Sequence, residues 1–287
     1  MMNINQLREG PAPGAAKQEK EESWTHLAEE YDFSEEDKAN GLEKFLYESK
    51  NIAAKAAGNL FFEVGLKPQD YQYVIDTPLG LDRESDAPEK YYPGEYGIVV
   101  GRKSKQVEAF LEGNDSEKLK NTLAVTFVHE IVHMMLTDKI TYIPDGPFGT
   151  VGNTVIGWYS FEESMAEAIG MIAIEKQLKD LGLDEAAKDR ETVCADHDMP
   201  ATQIATRLIN KAGPGFLKWF LTCAQTGECH TNNIVEKAFG PDYKLFLENT
   251  KKLLSYEEEK LDLTDAQKEL LVNQTTQIID NNAEKLS

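Results

Sequence analysis

In "TFVHEIVHMML", Thr126 to Leu136, two of the chain's 5 histidines stand four residues apart, with a glutamate directly after the first. On a helix, positions four apart differ by about 40° in direction, so His129 and His133 project side by side from one face. Two imidazoles so placed make a bidentate metal site. Imidazole nitrogen suits zinc, and a glutamate beside the first ligand can reach the attacking water without binding the metal itself. The roles that follow are His129 and His133 as metal ligands, with Glu130 as general base and proton shuttle.

A hydrolytic zinc site takes a third protein ligand and keeps its fourth position open. The stretch "WYSFEESMAEAIGMIAIEKQL" offers Glu163 and Glu167, four apart on a helical face that continues through Gly170, Met171, Ile174 and Leu178. Carboxylates at the head of an apolar face are costly unless a cation or hydrogen-bond donors compensate them. Glu163 is therefore assigned as the third ligand. Glu167 is assigned as the acceptor that orients a ligand histidine through its other ring nitrogen. Glu162 is the rival of Glu163, because this helix is apolar around most of its circumference; the pairing with Glu167 favours Glu163.

"HEIVH" followed some thirty residues later by "EESMAE" resembles the gluzincin branch of the zincin metallopeptidases, over roughly Tyr96 to Ile172. The resemblance implies one zinc ion per chain on His129, His133 and Glu163, catalysis by Glu130, support from Glu167, and a peptide or protein substrate. It also implies that "YGIVVG" (96–101) is the edge strand above the cleft, where an extended peptide would add by backbone hydrogen bonds. Such enzymes supply a Tyr or His for the developing oxyanion. No motif singles that residue out here, and Tyr142, Tyr159, His197 and His230 are the candidates.

Other metal chemistries fit less well. A di-iron carboxylate site needs a second Glu-x-x-His, but Ser23, Thr126, Cys194 and Gly227 stand three residues before the relevant histidines. Cys194 with His197 and Cys229 with His230 do not assemble a second ligand set. The main alternative is a catalytically inactive zincin-like scaffold that binds a protein partner. Glu130 argues against it, since a purely structural site does not require that residue.

The helix that carries the two histidines opens at Asp115 or Ser116 and runs to about Thr137, with Leu119, Leu123, Phe127, Ile131 and Met135 along one stripe. Upstream, a helix starts after Ser34, whose partner three residues on is Asp37. Strands are expected at "YQYVID" (71–76) and "YGIVVG" (96–101). A glycine-rich connection of some twenty residues, from Asp138 to Ser160, suits a loop lining a cleft. Helices follow from about 161 to 180, from Pro200, after "GPG" at 213–215, over "NNIVEKAF" and "PDYKLFLENTKKLL", and from Thr264 to near the end.

These elements describe an α+β, zincin-like fold. A disordered tail of residues 1–22 precedes an N-terminal α/β lobe (23–137) holding a small sheet and the active-site helix. A mainly helical C-terminal lobe (138–287) completes the zinc site. The formal net charge of −20 opposes binding to nucleic acid and to anionic membrane surfaces. No stretch approaches the ~18 apolar residues of a membrane span, and the N-terminus lacks the apolar segment of a signal peptide. Cys194, Cys223 and Cys229 are odd in number and have no CxxC spacing, so a cytoplasmic address is expected, with a Cys223–Cys229 bridge disfavoured.

Overall fold

The computed structural model describes residues 31–85, 90–91, 97–137, 152–188, 199–226, 234–257 and 261–286. The 1–22 tail lies outside them. The described residues are mostly helical with one small sheet, and no helix among them is long and apolar enough to cross a membrane.

Helix α1 (Glu35–Ala39) begins at a reciprocal cap: the Ser34 hydroxyl accepts from the Asp37 amide at 3.2 Å, and the Asp37 carboxylate accepts from the Ser34 amide at 3.1 Å. The single helix expected after Ser34 is divided at Gly41, whose φ of +75° ends α1 before α2 (Leu42–Glu63) starts. From α2, Leu42, Phe45, Leu46, Ala53, Ala56, Ala57, Leu60 and Phe61 enter the core at helical spacing.

Residues 71–75 form helix, not strand: α3 covers Pro68–Ile75. Proline at the first helical position and Asp70, whose carboxylate accepts from the Lys67 amide at 3.0 Å, start a helix there. Tyr71 and Val74 are then buried one turn apart. An alternation only a few residues long yields to such start signals. The buried ammonium of Lys50 donates to the Thr77 carbonyl just beyond α3, and burial pushes its pKa down.

The sheet instead uses Leu79–Asp82 (β1), Lys90–Tyr91 (β2) and Ile98–Gly101 (β3), in the order β1-β3-β2. β1 is parallel to β3, pairing Leu79 with Ile98 and Asp82 with Gly101; β2 is antiparallel to β3, pairing Lys90 with Val99. "YGIVVG" therefore supplies the middle strand and not an edge. All four β3 residues are buried, as expected of a strand covered on both faces. β1 pairs along the whole length of β3, and β2 pairs with Ile98 and Val99, so the added peptide strand expected there has no place beside those two residues.

Helix α4 (Lys105–Leu111) stacks Phe110 on Phe45 of α2, with ring centroids 4.1 Å apart. Asp115 caps α5 (Ser116–Thr137), accepting from the Glu117 amide at 3.0 Å. Helix α6 (Gly152–Asp180) starts about nine residues earlier than the sequence pattern indicates, so the second part of the expected loop is helical. After the short α7 (Asp184–Lys188), α8 (Pro200–Thr226) is helical on both sides of a break at Gly213 (φ +76°, ψ −172°), where "GPG" predicts one. Helices α9 (Ile234–Phe239), α10 (Tyr243–Glu257) and α11 (Asp265–Asn282, capped by Thr264) follow.

Helices α2, α5 and α6 pack on one another at the centre, with α8 against α5 and α6, α10 against α6, and α11 against α8 and α10. One hydrophobic core runs from Phe33 to Leu286 and includes residues on both sides of position 137.

Candidate functional site

From Leu123 onward helix α5 is buried on nearly all sides, as the apolar composition of that part around its circumference requires. From Leu123 to Met135 the residues that keep partial exposure are Thr126, His129, Glu130 and His133; every other one is buried. Those four positions are spaced by three, one and three residues, which is one narrow stripe along a helix. The stripe is the polar line on an otherwise apolar cylinder, and it carries the whole His-Glu-x-x-His group.

The two imidazoles meet at their outer nitrogens. His129 Nε2 and His133 Nε2 are 2.8 Å apart, and the ring planes are inclined at 63° with centroids 4.5 Å apart. His129 Nδ1 lies 3.1 Å from Glu167 Oε2, a residue 38 positions away on α6. Both side chains are largely withdrawn from solvent, at 16% exposure for His129 and 13% for Glu167. Glu167 sits between buried neighbours, Met165 and Ala166 before it and Ala168 and Ile169 after it. A carboxylate placed there needs a donor, and His129 provides one.

This contact constrains the protons. With Nδ1 of a neutral His129 donating to Glu167, its Nε2 carries a lone pair, and the 2.8 Å contact is then a hydrogen bond donated by His133 Nε2. A dication held by both Nε2 lone pairs would move the His133 proton to the other nitrogen of that ring. Two imidazole nitrogens on a tetrahedral zinc ion would lie about 3.3 Å apart, against 2.8 Å here, and one of the two rings already has its second nitrogen on a carboxylate.

The register that brings Glu167 to His129 follows from a close crossing one turn away. Gly170 of α6 lies against Val125 of α5; a β-carbon at position 170 would stand 2.7 Å from the Val125 carbonyl oxygen. Advancing from 167 to 170 on α6 accompanies a retreat from 129 to 125 on α5, so the helices are antiparallel at this crossing. The sequence pattern assigns Gly170 only to the apolar face of its helix. A glycine inside a long helix costs about 1 kcal/mol relative to alanine, and that cost is the signal of a close approach.

Glu162 and Glu163 belong to α6, but their side chains lie outside the described residues, as does that of Tyr159. Tyr142, Cys194, His197, Cys229 and His230 are outside the described residues altogether, and Cys223 is described only as part of α8. Among the described residues no group of three or more His, Cys, Asp or Glu side chains converges in metal-binding geometry. Comparison of the chain with protein-family models, with curated proteins and with solved structures gives no match.

Proposed function

We propose that this chain is a zinc-dependent metallopeptidase of the gluzincin type, built on a zincin-like fold and acting in the cytoplasm on peptide or protein substrates. The observation that carries the reading is the polar stripe of α5, on which two imidazoles meet at Nε2 while His129 Nδ1 rests on Glu167.

His129, His133 and Glu163 are the proposed ligands of one zinc ion, which would polarise the scissile carbonyl and acidify the attacking water. α6 is helical through position 163, one turn before Glu167. Continuing the antiparallel register by that turn leads from the level of His129 toward the level of His133, and position 163, four before Glu167, shares its face of the helix where position 162 is turned about 140° away, which supports Glu163 over Glu162. Glu130, on the same stripe as the histidines, takes a proton from the attacking water as its oxygen bonds the carbonyl carbon. It returns that proton to the nitrogen as the C–N bond breaks. Glu167 fixes the tautomer of His129 so that its Nε2 lone pair faces outward.

The test is metal content. Elemental mass spectrometry of the protein purified without added metal should find about one zinc per chain, reduced in Glu163→Ala and retained in Glu162→Ala. Loss from the Glu162 variant instead would reassign the third ligand. A chain that holds no zinc and takes none up would be a binding scaffold and not a peptidase.

A further inference from the structure

We propose that Gly170 is the positioning residue of the His129–Glu167 pair: the missing side chain at 170 sets the α5–α6 separation at which Glu167 Oε2 reaches His129 Nδ1. Two contacts lie one helical turn apart along the crossing. At one, a β-carbon on Gly170 would lie 2.7 Å from the Val125 carbonyl oxygen and 3.3 Å from Val125 Cγ1. At the other, the imidazole and the carboxylate are 3.1 Å apart.

The obstacle is backbone and not the end of a flexible side chain. Ordinary contact begins at 3.4 Å, so an alanine at 170 requires the helices to part by about 0.7 Å. Val125 lies in the part of α5 from Leu123 to Met135 that is buried nearly all round, so its carbonyl cannot swing aside alone. A displacement of that size, carried one turn along two stiff helices, takes a 3.1 Å hydrogen bond beyond its range. Val125 and His129 are four apart, and Glu167 and Gly170 three apart, so both contacts lie along the same line of the crossing. The significance of the pair for catalysis rests on the reading above; its dependence on Gly170 does not.

The experiment is a long-range ¹H–¹⁵N spectrum of the full chain labelled with ¹⁵N-histidine, in chelator at about pH 8, with His129 assigned through His129→Gln. In the wild type His129 should hold its proton at Nδ1. Gly170→Ala should lose that single tautomer and give the mixture of free imidazole, while its thermal transition stays cooperative. Glu167→Asp, which withdraws the carboxylate without touching the crossing, should give the same spectrum; the proposal needs that contact to set the tautomer, so a fixed form there sinks it even if Gly170→Ala does not fold. Gly58→Ala should leave the tautomer unchanged, because a β-carbon there meets Ile75 Cδ1 at an ordinary 3.4 Å. A fixed Nδ1–H form in Gly170→Ala or in Glu167→Asp, or its loss in Gly58→Ala, would overturn the proposal. None of these outcomes depends on zinc, so a chain that binds no metal would leave this result standing.

Discussion

Asp37 and Glu167 are both helical carboxylates withdrawn from water, with side chains 6% and 13% exposed, yet they are satisfied in opposite ways. Asp37 closes a cap with Ser34 three residues before it and accepts from Arg102 Nε at 3.1 Å. Glu167 crosses 38 positions to a titratable ring whose other nitrogen meets a second imidazole. A carboxylate held by its own turn and by a permanently charged guanidinium ties elements together. One held by a neutral imidazole would fix which nitrogen of that ring is free to bind, and under the proposed function this difference would separate a structural acid from a functional one.

The largest effect is expected at the glutamate that directly follows His129. Glu130→Gln keeps the shape of the stripe but removes the proposed base, so kcat for peptide hydrolysis should fall by about 10²- to 10⁴-fold with the zinc content unchanged. Surviving turnover would remove Glu130 from the mechanism. Glu167→Gln should weaken zinc binding by about 10- to 100-fold, measured by competition with a chelating dye, with little change in the urea midpoint.

Asp37→Asn should do the reverse, lowering the free energy of unfolding by about 1 to 3 kcal/mol and leaving zinc affinity intact. If both variants altered the same quantity, the distinction between the two acids would fail. Acid sharpens the contrast. Burial pushes the Asp37 carboxyl up, but the Ser34 hydroxyl, the Ser34 amide and Arg102 outweigh it and hold the pKa below the usual carboxylate range. A depressed folded pKa gives stability that is complete above the unfolded value and disappears as pH falls through the folded one. The gap in urea stability between the wild type and Asp37→Asn should therefore be steady from about pH 6 to pH 5 and narrow below about pH 4.

The smallest expected effect separates two glycines that look alike in sequence, each inside a long helix. At Gly58 a β-carbon meets only Ile75 and Tyr71 side chains, at 3.4 and 3.9 Å. Gly58→Ala should raise stability by about 0.5 to 1 kcal/mol, seen as a small upward shift of Tm. A decrease would show that the α2–α3 contact is as tight as the one at Gly170.

What the sequence determines by itself is what acts within a turn or two of chain. The caps at Ser34, Asp115 and Thr264, the opening of α8 at Pro200, its break at Gly213, and the shared face of His129 and His133 all follow from side chains within four residues of the backbone groups or partners they meet. The tertiary structure alone decided that Tyr71–Ile75 is helix, that Leu79–Asp82 pairs with the sheet, and that Ile98–Gly101 lies between two strands. It also decided that the carboxylate of Glu167 meets His129, the sequence having assigned it only to a ligand histidine. Strand order and helix crossing are set by contacts between residues far apart in the chain. The closest of those crossings is recorded in the sequence only by the absence of a side chain at Gly170.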